Sequence, residues 1–170
     1  YYTDLEPEHT WVACANGEVV GFLAGCVDTR LYTRELLRII IPRLSNHLLR
    51  GKYHIGKLSL HYLGGLLGGL LQREFTSVDL LSYPAHLHIN VESVWRGYKL
   101  GQRLMEAFLG QLRELGIPAV HLDTTSLNEA ACHLYEKTGF SLLDSRPDRF
   151  WTKWFGRLVD NRCYGLKLLD

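Results

Sequence analysis

The chain has 170 residues, 46% hydrophobic and 22% charged, the composition of a protein that folds by burying apolar surface and not of a disordered one. That length holds one domain with a substantial core and is too short for two of ordinary size. Lysine and arginine exceed aspartate and glutamate by one, which excludes a global field drawing the chain to nucleic acid or an anionic membrane; any anion site is local.

In chain order, Thr10–Ala15 and Glu18–Val27 are short apolar runs joined by Asn16-Gly17, a dipeptide that tolerates the positive φ angles of a tight turn, and they predict a β-hairpin. Residues 31–50 carry Leu36, Leu37, Ile40, Ile41, Leu44 and Leu48 at near-helical spacing, broken by Pro42, so two short helices or one kinked helix is expected. Leu58–Leu71 has helical spacing but contains Gly64, Gly65, Gly68 and Gly69, each costing about 1 kcal/mol against alanine. Their recurrence gives a smooth stripe against which another backbone would pack. The stretch is far shorter than the ~20 apolar residues that span a bilayer, and no charged-then-apolar leader precedes it.

Ala85–Val91 alternates Leu87, Ile89 and Val91 with His86, His88 and Asn90, a strand with one apolar and one polar face. Leu100, Leu104, Phe108, Leu112 and Leu115 make one helical stripe that stops before Gly116 and Pro118. Ala119–Asp123 reads as a strand. Leu127, Ala130, Ala131 and Leu134 make a second helical stripe ended by Thr138-Gly139, and Phe140–Leu143 and Arg162–Leu169 read as closing strands. The order is hairpin, helical insert, then strand-helix-strand-helix-strand-strand, an α/β domain. Cys14, Cys26, Cys132 and Cys163 show no metal-ligand spacing; free buried thiols in a reducing, cytoplasmic compartment are expected, with no metal.

Between the strand ending at Val91 and the helix starting near Lys99 stands Arg96-Gly97-Tyr98-Lys99-Leu100-Gly101, followed by Gln102. A helix start offers unpaired N–H groups and a positive dipole end, and glycine lets a ligand approach the backbone. Arg96, Lys99 and Arg103 invert the usual preference for acidic residues in a first turn, which suggests an external anion such as a diphosphate. A solvated basic helix start reads the same segment without a ligand.

This segment and a second one resemble the GNAT superfamily of acetyl-CoA-dependent N-acetyltransferases. Arg96 and Gly101 match its Arg/Gln-x-x-Gly-x-Gly/Ala phosphate turn, with Lys99 standing where the middle glycine is usual. Asn128, Ala131, Tyr135, Gly139 and Phe140 fit its Asn-x-x-Ala-x-x-x-Tyr-x-x-x-Gly-Phe motif at every position. The likeness runs from about Thr10 to Leu169. It implies a single acetyltransferase-like domain over residues 1–170, an α+β fold with a mixed, mostly antiparallel twisted sheet flanked by helices. Residues 31–82 would be a longer insert than usual, and the strand and helices that open the fold in the superfamily would be missing. Tyr83–Asn90 also looks like the acetyltransferase-like domain of O-GlcNAc hydrolases, some of whose relatives look like pseudoenzymes.

The resemblance implies acetyl-CoA as cosubstrate and an unidentified primary amine as acceptor. Pantetheine would lie between two parting strands, Ile89-Asn90-Val91 and Ala119–Asp123, with the main-chain N–H near Val91 facing the thioester oxygen. Asn128, Ala131 and Tyr135 would flank it, Asn128 and Tyr135 being two helical turns apart on nearly one face. Tyr135, protonated at neutral pH, would donate to the leaving thiolate. As base for the incoming ammonium, Asp123 ranks first, His88 second and Glu92 third; Asp123 alternatively caps the following helix. Spacing alone also fits Tyr135 as a core ring and His88 as a hydrogen-bonded structural histidine. A reading from another class makes the chain an inactive acyl-CoA-binding or dimerisation module, the glycine stripe being the contact of a homodimer.

Overall fold

The computed structural model describes residues 1–53 and 56–169; residues 54 and 55, inside the predicted insert, and residue 170 lie outside the described residues. Strands β1 (Thr10–Ala15) and β2 (Glu18–Cys26) form the expected hairpin. Asn16 and Gly17 take φ of 53° and 84°, the pair of positive values that matches the twist of the flanking strands. A bulge at Ala13/Cys14 leaves Val20 as the extra residue, whose side chain is buried.

The 31–50 segment resolves the choice between two helices and one kinked helix in favour of near-continuity. Helices α1 (Thr29–Glu35) and α2 (Ile41–Leu49) are joined by a π-helical turn, Leu36–Ile40, in which Ile41 N–H reaches the Leu36 carbonyl. Pro42 supplies no amide, and the widened turn ahead of it absorbs the mismatch. Helix α3 (Lys57–Leu71) follows. Its glycine stripe meets no second backbone: Gly64 faces open space, whereas a side chain at Gly65 would overlap the ring of Phe150. The glycine makes room for an aromatic side chain, which is the correction to the sequence expectation.

Strand β3 (Ala85–Val91), helix α4 (Leu100–Glu114), strand β4 (Ala119–Thr125), helix α5 (Glu129–Lys137), strand β5 (Ser141–Pro147), helix α6 (Arg149–Phe155) and strand β6 (Asp160–Lys167) complete the chain. Helix α6 was not anticipated, although Phe150, Trp151, Trp154 and Phe155 recur at i, i+1, i+4 and i+5; the Asp148 carboxylate starts it by accepting from Trp151 N–H. The sheet runs β1-β2-β3-β4-β6-β5, with β6 inserted between β4 and β5. All pairs are antiparallel except β3–β4. The domain is therefore a mixed, mostly antiparallel sheet with helices on its faces, as expected.

The core lies between the sheet and α4 with α5. Leu104, Met105, Phe108, Leu109 and Leu112 of α4 are buried against Leu23, Leu87, Val120, Leu122 and Tyr164. Leu115, expected at the end of the stripe, is exposed because the helix ends there and Gly116 turns the chain away. Three cysteines are buried and all four are free, but Cys14 is exposed on β1.

Gly25 of β2 sits directly beneath Phe108, and a methyl group there would overlap the ring. Gly25→Ala is expected to cost roughly 1–3 kcal/mol in urea unfolding, at unchanged dependence on denaturant, because the ring and strand have no unoccupied space to move into.

Candidate active site

The ladder between β3 and β4 consists of Ala85↔Val120 and His86↔His121 and then stops. From Leu87 onward β3 stays paired with β2 and diverges from β4. A gap inside a sheet leaves main-chain groups facing it without strand partners, a slot suited to an extended ligand with its own amides.

At the wide end of this gap is a cavity of about 400 Å³. The end of β3 contributes Ile89, Asn90 and Val91; the following turn and first helical turn contribute Arg96, Gly97, Lys99, Leu100, Gly101 and Gln102; α5 contributes Asn128, Ala131 and Tyr135. Tyr98, grouped with them in the sequence, does not line it: its side chain is exposed and its ring lies 5.6 Å from that of Trp95. The sequence reading missed Ala130, His133, Leu134 and Lys137, which recur at i, i+3, i+4 and i+7 along α5, and Trp95. Lys137 adds a cation opposite the turn; its helical spacing was the available signal.

Helix α4 begins at Leu100, one residue later than expected, with Lys99 at the N-cap and no side chain capping the end. Arg103 N–H bonds the Lys99 carbonyl, so the amides of Leu100, Gly101 and Gln102 precede the first intrahelical bond. Gly97 and Lys99 both take left-handed φ, 89° and 59°. The lysine thus adopts the backbone conformation for which glycine is usual. Gly101 has a second role: a Cβ there would stand 3.1 Å from Leu134 Cδ2, so its absence lets α5 approach the helix start.

Asn128 is the N-cap of α5 yet makes no side-chain cap bond, leaving its amide at the cavity. Tyr135 is 5% exposed, its ring 6.1 Å from Phe140 and 5.8 Å from Tyr164. Burial, with the neighbouring Cys132 thiol, pushes its phenol up to about 12, so it is protonated throughout the neutral range.

Asp123 and His88 lie elsewhere, on the sheet face that carries His86 and His121, and neither lines the cavity. Asp123 does not cap α5; its Oδ1 accepts a 2.7 Å bond from Thr76 Oγ1, from the segment after α3. Glu92, the third candidate base, is exposed and starts the short 3-10 turn after β3. His88 sits 5.7 Å from the Tyr2 ring and 5.8 Å from His86. Desolvation holds it below the usual histidine value, and the charge of Asp123 pulls the other way. His86 is driven down to about 3, first by burial and then by His121 and His88. Its contacts accommodate the neutral form: Thr29 Oγ1 donates to the Pro84 carbonyl and lies 2.8 Å from His86 Nδ1, and the Tyr2 hydroxyl lies 2.7 Å from Nε2. That arrangement is satisfied when Nδ1 carries the proton and Tyr2 donates to Nε2. His121 Nδ1, 3.0 Å from the Tyr83 carbonyl, must donate to it, so its free lone pair is on Nε2. Among the described residues no group of three or more His, Cys, Asp or Glu side chains is arranged to hold a metal ion.

The site thus combines a sheet parted in its middle, an uncapped cationic helix start and a buried protonated tyrosine. Residues 65–140 match the acetyltransferase (GNAT) family. A 57-residue segment is 44% identical to the mycothiol acetyltransferase of Nocardiopsis dassonvillei and 33% identical to that of Propionibacterium freudenreichii. It covers 34% of this chain but only 17% and 18% of those proteins. The crystal structure of SsHAT superposes with a TM-score of 0.68 at 27% identity, covering 99% of this chain and 77% of that one. The yncA structure from Salmonella typhimurium, solved with its cofactor acetyl-CoA, shares the fold with a TM-score of 0.55 at 17% identity over 95% of this chain and 65% of that one. The family match thus falls on residues 65–140, and the likeness to SsHAT extends over nearly the whole chain.

Two stability effects follow from the site. His86 has a depressed pKa, so the unfolded chain binds a proton that the folded one refuses; its stabilisation is complete above about pH 6.5 and is lost as pH falls toward 3, at a limiting ~1.4 kcal/mol per pH unit. Urea midpoints should therefore fall across that window, and a flat profile would contradict the buried neutral histidine. Lys99→Gly should raise unfolding free energy by up to ~1 kcal/mol, since the left-handed conformation is costly for lysine alone.

Proposed function

We propose that this chain transfers an acetyl group from acetyl-CoA to a primary amine by direct attack in a ternary complex, with Tyr135 as general acid. The observation that carries the reading is one cavity bordered by both the α4 helix start and Tyr135. The residues fit the carrier: its diphosphate would take the amides of Leu100, Gly101 and Gln102 and the charges of Arg96, Lys99 and Lys137, and its pantetheine would follow Ile89–Val91. When bound it supplies a thioester, whose carbonyl accepts the amine and whose sulfur departs.

The chain's own groups do the rest. The amide near Val91 stabilises the carbonyl oxygen as it gains charge. Asp123, or His88 beside it, receives the proton of the incoming ammonium, directly or through water. The Tyr135 hydroxyl meets the departing sulfur. A phenol near 12 is a weak donor to a thiolate of ~8.5, so its proton passes to the sulfur only as the carbon–sulfur bond breaks and charge develops there, and the tyrosinate left behind is reprotonated from solvent. The domain so read spans residues 1–170, with the helices of residues 31–82 shaping the acceptor side.

The left-handed Lys99 in the phosphate turn favours one other reading, a module that holds acyl-CoA or another protein without turnover. Calorimetric titration with acetyl-CoA together with thiol release over an amine panel separates them: no binding removes the enzyme, and binding without release favours the module.

Tyr135→Phe is expected to lower turnover about a hundredfold while leaving acetyl-CoA affinity unchanged; an undiminished rate removes the tyrosine from the chemistry. Because the acid titrates near 12, the rate in the native protein should rise with pH as the amine deprotonates and show no fall before about pH 10.

A further inference from the structure

A second cavity, of about 200 Å³, lies between α3, the segment after it and α6, and shares no residue with the first. Four aromatic side chains line it, Tyr62, Phe75, Phe150 and Trp151. The rings of Tyr62 and Phe150 stand 6.2 Å apart at 77°, those of Phe150 and Trp151 4.9 Å apart at 73°, and those of Tyr62 and Trp151 6.4 Å apart at 51°. Gly65 exists to admit Phe150 to this arrangement, since any side chain there would overlap the ring.

Glu74 supplies the charge. It is 5% exposed, and its Oε2 accepts from Arg149 N–H at 3.2 Å. The residue lines the cavity, and its Oε1 is buried with no hydrogen-bond partner among the described residues. Arg149 Nε approaches Oε1 to 3.6 Å, an ionic contact too long for a hydrogen bond, on a side chain that is 71% exposed. Asp148, the second carboxylate, is already satisfied by Trp151 N–H and Asn161 Nδ2. A buried carboxylate oxygen without a donor is costly, and aromatic faces attract cations. The cavity presents both, and the cation that contacts Glu74 among the described residues is the largely exposed Arg149 guanidinium.

We propose that this cavity binds an organic cation, an alkylammonium or guanidinium group. That the cation belongs to the acceptor rests on the acetyl-transfer reading. Thr76, which bonds Asp123, is two residues beyond Glu74, a chain span of at most ~7 Å. Asn161, which donates to the Glu74 carbonyl, pairs with Thr125 two residues along β4 from Asp123, on the same sheet face. An acceptor seated here therefore carries a second cationic centre a short distance from the amine that is acetylated, as in a diamine or a basic peptide.

The test uses the whole chain without acetyl-CoA and follows tryptophan fluorescence and amide shifts during titration with choline and with 3,3-dimethylbutan-1-ol, the same shape without the charge. Choline is expected to bind about tenfold or more tighter than the alcohol, and Glu74→Gln to abolish that difference. Arg149→Gln, which keeps the backbone amide and removes the competing cation, should tighten choline binding. Equal affinity for the two probes, or absence of any effect of Arg149→Gln, overturns the pocket. A parallel acetyl-CoA titration keeps the two ideas apart: choline binding with no acetyl-CoA binding sinks the transferase reading and leaves the cation site standing.

Discussion

The site depends on a parallel pairing that is abandoned almost as soon as it begins. Ala85 and His86 hold β3 against Val120 and His121, and beyond them β3 follows β2 while β4 follows β6. The divergence is supported from below: α4 packs its Leu104, Met105 and Phe108 across the sheet, and α5 reaches the helix start through the space that Gly101 leaves. Without that support an opening in the middle of a sheet would close by pairing, since unpaired main-chain groups are costly wherever water is excluded. The fold thus spends hydrophobic contact beneath the sheet to keep its hydrogen-bonding edge open above.

The two sides of the opening differ in charge. Arg96, Lys99 and Lys137 gather at the cavity beside the α4 start, where a macrodipole already favours anions. The opposite face holds histidines that burial keeps neutral, with Asp123 among them as a carboxylate tethered by Thr76. A negative carrier on one side and a cationic amine on the other would each be drawn to its own half.

Much of this was legible in the sequence because it is local. Asn16-Gly17 specifies its own turn, α4 announces itself through one apolar stripe, and Asn128, Ala131 and Tyr135 share a helix face by spacing alone. The residues of the α4 turn also gathered where expected, apart from the exposed Tyr98. What was hidden depends on contacts between distant segments. The glycines of α3 looked like a seam for another backbone, and only the position of Phe150, some eighty-five residues on, shows what Gly65 accommodates. Helix α6 escaped because it is only seven residues long, although its four aromatic side chains stand at i, i+1, i+4 and i+5. Nothing along the chain indicated that Asp123 would be held by Thr76, and nothing in the spacing of Lys99 revealed its left-handed backbone.

The tether from Thr76 to Asp123 has a bearing on how such a protein changes over evolutionary time. The segment it belongs to ends the helical insert, none of whose described residues lines the cavity beside the α4 start. On the proposed acetyl-transfer reading, mutations in the insert would remodel what is recognised while leaving the donor side intact. A lineage so equipped would drift from one acceptor to another by surface substitutions, each tested by selection without forfeiting the proposed reaction.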